Sequence, residues 1–285
     1  MVVFCRSPIR GILILLACAI SAVAGVATDV LAQTATGSMP GRPATFPGAA
    51  IGRMVRGSDP EELMRALYAV RNRRNPTYAN TQFCGPTPCK LRLLAADAWQ
   101  GDDGVERILI VAGAEPPNPD HASPALLGMA VLRNKDNGWL LEAGSPSVDE
   151  IGEWGIAPPV TAVLAGGFGR GAVAAPQFTA QGVQLATWGL YVPIDERVVK
   201  VLQLETAQDS AASCEVYDVA CRRRADAQDF SSVVTTDPSA DGGLDIVQTI
   251  TLAARPGVEA QVKRWHIEPT GRVTIVGGTV NRRDR

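Results

Sequence analysis

The chain has 285 residues, 46% of them hydrophobic, and a formal net charge of −2 at pH 7. That length buries a full core as one domain or two small ones. The near-neutral balance excludes long-range attraction to nucleic acid or to an acidic membrane surface.

The N-terminus has the layout of a secretory signal. Arg6 and Arg10 form a positive n-region, residues 11–26 an apolar h-region, and Val30-Leu31-Ala32 a small-residue cleavage site ahead of Gln33. The apolar run falls short of the ~20 residues that span a bilayer comfortably, so cleavage is expected in place of anchoring. Loss of residues 1–32 removes Arg6, Arg10 and Asp29 and leaves the remainder at −3, with no transmembrane span. Leu15-Leu16-Ala17-Cys18 also resembles a bacterial lipoprotein box, which makes lipid anchorage through Cys18 the alternative to a free periplasmic or secreted protein. Against it, Leu16 stands where a smaller residue is usual, and the apolar run continues beyond Cys18.

Beyond the signal, residues 33–57 are rich in Pro, Gly, Ala, Ser and Thr and predict a flexible linker. A helix is expected over 60–73, opened by Asp59 as cap, Pro60 in the first turn and Glu62 at capping-box spacing. Leu63, Leu67 and Val70 share one face. Arg71, Arg73 and Arg74 complement the C-terminal dipole, and Pro76 stops the helix.

Cys84 and Cys89 bracket a Gly/Pro loop, and Cys214 and Cys221 bracket a polar one. Three pairings of four cysteines are formally open, as is a zinc site made by all four thiolates. Neither pair has C-x2-C spacing, and an oxidising compartment favours bridges, so the expectation is Cys84–Cys89 and Cys214–Cys221.

From Leu91 onward the pattern is almost continuously β. Strands are expected over 91–98 and 107–112, then at 126–132 and 139–141 around a polar turn containing Asn137-Gly138, whose positive φ angles suit a tight hairpin. Both parities of 126–132 are apolar, which places that strand inside the sheet with both faces covered. A short helical turn is expected at 147–153. Further strands follow at 160–164, 184–192, 198–204, 230–235, 244–252, 258–267 and 272–276, before a polar tail at 281–285. Strands joined by turns make an antiparallel meander. We therefore expect one mainly β domain over 58–280, a sandwich or an open twisted sheet with the N-terminal helix packed on it; a β-propeller fragment is the alternative.

Motifs for catalysis are sparse. Gly166–Gly171 lacks the Gly-Lys-Ser/Thr of a phosphate loop, and no G-x-S-x-G elbow occurs. The histidines, His121 and His266, stand apart from any metal-ligand spacing. One constellation stands out. Asp237, Ser239, Asp241 and Asp245 place side-chain oxygens at positions 1, 3, 5 and 9, with Gly242 at position 6, the pattern of a calcium loop. The stretch resembles the calcium loop of FG-GAP (integrin-type propeller) repeats, which implies calcium held by those four side chains. As a whole, the Leu-Leu-Gly-Met-Ala-Val run at 126–131, Trp154-Gly155 and Asp245-Ile246-Val247 resemble the uncharacterised exported β-rich proteins of Gram-negative bacteria, a likeness that implies export and no activity.

The function expected from the sequence is that of a non-catalytic exported binding or interaction protein with an envelope or extracellular partner. No catalytic residue is nominated, and calcium is the one candidate cofactor. An exported hydrolase without a visible motif, or an envelope lipoprotein, is the alternative.

Overall fold

A computed structural model describes residues 45–70, 74–79, 83–84, 86–214, 218–253 and 261–279. The expected signal at 1–32 with Cys18, the first part of the linker, Arg71, Arg73 and the tail at 281–285 lie outside the described residues. The second part of the expected linker is packed: Phe46 and Val55 are buried, and β1 (Met54–Val55) pairs with Leu140 and Trp139 of a later strand.

Helix α1 (Pro60–Leu67) begins as its sequence dictates. The Asp59 carboxylate accepts the Glu62 N–H at 2.8 Å, and Glu62 reaches back to the N–H and hydroxyl of Ser58 at 3.0 and 2.8 Å. Its end departs from the expectation of residue 73. Ala69 turns to φ +56, its N–H bonds the Ala66 carbonyl, and the Val70 N–H bonds that of Arg65, the pattern of a Schellman cap. At that end the Leu67 carbonyl accepts the Gly48 N–H at 2.7 Å, and the buried Tyr68 phenol donates to the Pro146 carbonyl at 3.0 Å and is pushed well above its ordinary pKa, chiefly by burial.

The first sheet contains β1, β2 (Thr77–Tyr78), β3 (Cys89–Gln100), β4 (Glu106–Glu115), β5 (Ala125–Lys135) and β6 (Gly138–Ile151) in the order β1-β6-β5-β4-β3-β2, all antiparallel. The central strand behaves as its double apolar pattern requires. Leu126, Ala130 and Leu132 pack with Leu63, Met64 and Leu67 of α1 on one face. Leu127, Met129 and Val131 face the second sheet on the other. Gly128 leaves room for the Tyr68 hydroxyl, which a Cβ there would strike. Two local expectations need correction. The β5–β6 turn is made at Asp136-Asn137, with Asp136 at φ +52, so Gly138 pairs in β6 with Lys135 and lies under Met54. Residues 147–151 are not a helical turn: β6 continues through them and pairs Asp149, Glu150 and Ile151 with Leu127, Leu126 and Ala125. Pairing with the buried central strand overrides the local signal.

The second sheet contains β7 (Val160–Leu164), β8 (Arg170–Ala174), β9 (Gln177–Ala180), β10 (Val183–Ile194), β11 (Arg197–Asp209), then, after helix α2 (Val219–Gln228), β12 (Phe230–Pro238), β13 (Leu244–Leu252), β14 (Gln261–Ile267) and β15 (Val273–Thr279). It too is an antiparallel meander, with β9 added alongside β10. It rolls into a half-barrel around its own core, which includes Leu190, Leu202, Leu204, Leu244, Ile246 and Trp265. The roll has a visible seam. Strands β11 and β12 pair only at Ala207–Ser231 and Gln208–Phe230. Where they part, the buried Gln248 amide donates to the Glu205 carbonyl at 2.6 Å and to Ser232 Oγ at 2.9 Å, and the Ser232 hydroxyl bonds the Thr206 carbonyl. Backbone groups released by the splay thus keep partners.

Two faces of strands join the sheets. Ala172, Ala174, Tyr191 and Val198 pack on Leu109, Val111 and Met129. At that margin Asp149 of β6 accepts Tyr191 Oη at 2.6 Å and pairs with Lys200 Nζ at 2.9 Å. The molecule is therefore mainly β, two antiparallel sheets face to face with α1 outside the first. Both disulfides are formed as expected, with Cα–Cα distances of 5.3 Å for Cys84–Cys89 and 5.7 Å for Cys214–Cys221. The second leads into α2, which the sequence pattern did not predict because its residues carry no apolar stripe. Among the described residues no helix is long and apolar enough to cross a membrane.

Candidate functional site

The residues expected to ligate calcium sit on the β12–β13 hairpin. Its turn closes through the Ser239 N–H to the Gly243 carbonyl at 3.0 Å and the Gly242 N–H to the Ser239 carbonyl at 3.1 Å. Gly242 takes φ +85, as its place in the pattern requires. The carboxylates, however, converge on an imidazole. His266 of β14 is the cross-strand partner of Asp245, and its Nδ1 lies 2.7 Å from Asp245 Oδ1. Its Nε2 lies 3.0 Å from Asp241 Oδ2, while Asp241 Oδ1 accepts the Gly243 N–H at 2.9 Å. The Asp245 hydrogen bond is the main cause of a His266 pKa above its ordinary value, opposed by desolvation and supported by Asp241. Asp241 is held below the usual carboxylate range, first by Gly243 and then by Ser239 and His266. Asp237 lies opposite Asp245 in register. Among the described residues no group of three or more His, Cys, Asp or Glu side chains is placed to hold a metal ion. In this arrangement the His266 imidazole lies between the carboxylates of Asp241 and Asp245.

The other sequence candidates resolve into structure. The Ser123 hydroxyl donates to Asp120 Oδ1 at 2.6 Å, which together with the Ala122 N–H closes the loop on itself. His121 is exposed and meets the ring of Trp154 edge-on at 5.8 Å. The glycines at 166 and 167 form a 3-10 turn that lies directly on the β12–β13 hairpin, with the Gly167 N–H bonding the Gly242 carbonyl at 2.8 Å.

A different site is assembled by the loop after β4 and the turn after β6. Glu153, Trp154, Gly155 and Ile156 form a tight turn with φ +57 at Trp154 and +66 at Gly155, closed by the Ile156 N–H to the Glu153 carbonyl at 3.1 Å. Positive φ at both central residues is ordinary for Asn-Gly; for a bulky aromatic it costs roughly 1–2 kcal/mol. The turn is held flat on the proline loop. The Trp154 N–H bonds the His121 carbonyl at 3.3 Å and the Gly155 N–H that of Ser123 at 2.7 Å. A Cβ at Gly155 would come within 2.6 Å of Pro119, so only glycine permits this approach. On the far side Glu153 accepts the Thr179 N–H of β9 at 3.2 Å.

The result is a groove of about 490 Å³ whose apolar walls include Pro116, Pro117, Pro119, Trp154 and Ile156. Trp154 is 54% exposed and Ile156 57%. Lys90 and Glu115 also line it. Glu115 is paired with Arg92 at 3.0 Å and more loosely with Lys90 at 3.7 Å, and Arg92 also bonds the Ala157 carbonyl at 3.1 Å. Both halves were visible in the sequence, one as a Pro-rich loop and the other as a Trp-Gly pair. Nothing in linear spacing announced that they meet. A large aromatic followed by Gly just after a strand was the only local signal of a strained turn.

No protein-family model, no curated protein and no solved structure matches the chain.

Proposed function

We propose that the protein is an exported, non-catalytic interaction protein whose contact surface is the Trp154 groove. The observation that carries the reading is the strained exposure of Trp154 at φ +57 beside Ile156, on a proline-walled groove. Backbone strain persists only where the surrounding structure enforces it, and it clusters at functional positions. Exposed tryptophan is also among the side chains that dominate binding at interfaces. The two disulfides and the apolar N-terminal run support placement outside the cytoplasm.

Asparagine tolerates positive φ, so Trp154→Asn should keep the turn while deleting the indole. Capture from an envelope extract by the immobilised wild type, repeated with Trp154→Asn, tests the reading. A specific band lost with the variant is the expected result. Capture that is indifferent to Trp154→Asn would falsify the groove as the contact surface.

A further inference from the structure

We infer that the ends of β11, β12 and β13 form a second site, away from the Trp154 groove, that takes an organic ammonium ion such as a lysine side chain or a free alkylamine. Register builds it. Ala207 of β11 stands opposite Ser231 of β12, which stands opposite Thr251 of β13. Two residues along each strand, on the same face, come Asp209, Asp229 and Ala253. The Ala253 N–H bonds the Asp229 carbonyl at 2.9 Å and so continues the ladder into that row. All six residues line one groove of about 470 Å³, a size that holds a small ligand. Gln248 and Ile250 are buried on the opposite face, so the groove opens outward from the half-barrel. Its floor is low because Ala, Ser and Thr are small.

Asp229 is the reason to assign a ligand. It is only 6% exposed, and its Oδ1 accepts the Ser210 N–H at 2.9 Å. That bond needs an oxygen acceptor but no charge, and asparagine would serve it as well. Among the described residues none donates to Oδ2. A carboxylate withdrawn so far from water is costly unless its charge is met. No Lys or Arg lines the groove, and its other charged residue, Asp209, is also an anion. Helix α2 ends at Gln228, directly before Asp229, and adds the negative end of its dipole. The lining is thus purely anionic, and its complement is a cation. Calcium takes roughly 6–8 oxygens, and among the described residues no group of three or more acidic, His or Cys side chains is placed to hold a metal. An alkylammonium fits better: its three donors meet the carboxylates while its stem lies along the methyls of Ala207 and Ala253.

A ¹H–¹⁵N NMR titration of the full chain tests this with three probes: pentylammonium, pentanol and Nα-acetyl-lysine methylamide. Pentylammonium should give saturable shifts at the amides of Ser210, Ser231 and Thr251. Pentanol, of the same length and uncharged, should bind about tenfold more weakly, the worth of one charge-assisted hydrogen bond. Asp229→Asn keeps the acceptor for Ser210, and should weaken pentylammonium about tenfold while leaving pentanol unchanged. Thr251→Phe, a good strand former that fills the groove, should abolish both. If the lysine derivative matches pentylammonium, the ligand is a lysine-bearing segment; if pentylammonium alone binds, it is a free amine. Either result supports the site. Equal response to amine and alcohol, no saturable shift with either amine, or pentylammonium affinity untouched by either substitution overturns the inference.

Discussion

Two tight turns in this molecule make opposite use of their side chains. The β12–β13 turn spends its polar groups internally: Asp241 bonds Gly243 and His266, Asp245 bonds His266, and Gly242 takes the positive φ. The Trp154-Gly155 turn settles its backbone on the proline loop and leaves a large aromatic more than half exposed at φ +57. The first resembles a ligand motif in sequence and has two of its carboxylates bonded to an imidazole. The second carries no motif and holds the unspent surface. A motif specifies residue types at a spacing; whether those groups remain available depends on what the neighbouring strand places beside them, here His266.

The comparison is broken most severely at the glycines. Gly155→Ala imposes φ +66 on a side chain and drives its Cβ to 2.6 Å from Pro119. Backbone and overpacking costs together predict a loss of about 3 kcal/mol. Gly242→Ala at φ +85 meets nothing nearer than Pro269 at 3.9 Å, so only the backbone cost of roughly 1–2 kcal/mol applies. Urea unfolding of the two variants measures the difference. Equal losses would show that the Trp154 turn is not pressed onto the proline loop.

A smaller change of opposite sign is expected from Trp154→Asn. Relief of the strained φ should stabilise the fold by about 1 kcal/mol, a shift of roughly 2–4 °C in Tm for a domain of this size. Stability gained by deleting a tryptophan would mark the indole as serving something other than the fold. A lower Tm would mean that its edge-on contact with His121 and its packing on the loop outweigh the strain.

What the sequence disclosed follows the same division. Local chemistry with no long-range competitor was legible: the Asp59 cap, the doubly apolar strand around Leu127 and Met129, and the two short cysteine loops. Features decided by distant partners were not. At the end of α1 the Leu67 carbonyl is taken by Gly48, and Tyr68 bonds the carbonyl of Pro146, 78 residues away. Ser147–Glu150 is drawn into β6 by Leu126 and Leu127. The strands β8 and β9 are only five and four residues long and give little periodic signal, and their place beside β10 is set by long-range pairing. The groove is the extreme case, since the loop after β4 and the turn after β6 become one surface only through the strand order β6-β5-β4.

The His266 contact should also leave a pH signature. Because the folded pKa of His266 lies above its ordinary value of 6.5, the native state binds more protons than the unfolded chain between those two values. Its contribution is fully present below about pH 6.5 and is lost as pH rises through the folded pKa. Asp241 contributes in the other direction: with its pKa lowered, its share is present above the ordinary carboxylate value and is lost as the solution is acidified through the folded one. Wild-type stability should therefore decline on passing from pH 6 to pH 8, and His266→Asn should flatten that slope. A slope unchanged by the substitution would mean that the imidazole does not bind the two carboxylates in solution.

The smallest effect is expected from calcium. A site of the extracellular kind, with Kd about 10⁻⁴ M, would add about 1.4 kcal/mol at 1 mM Ca²⁺ through preferential binding to the native state. To do so here, the ion must displace His266 from Asp241 and Asp245, which lie 3.0 and 2.7 Å from its ring nitrogens. Those carboxylates are already compensated, so the usual driving force for calcium, relief of repulsion between unpaired anions, is largely absent. Raising the pH to 8 weakens the imidazolium and gives the ion its best opportunity. We expect the wild-type Tm in 1 mM Ca²⁺ and in chelator to agree within about 1 °C at both pH 6 and pH 8, well below the 3–6 °C that 1.4 kcal/mol would produce. A calcium-dependent rise confined to pH 8 and removed by Asp241→Ala would restore the metal loop. It would then make the two turns alike, each holding its surface open for a ligand.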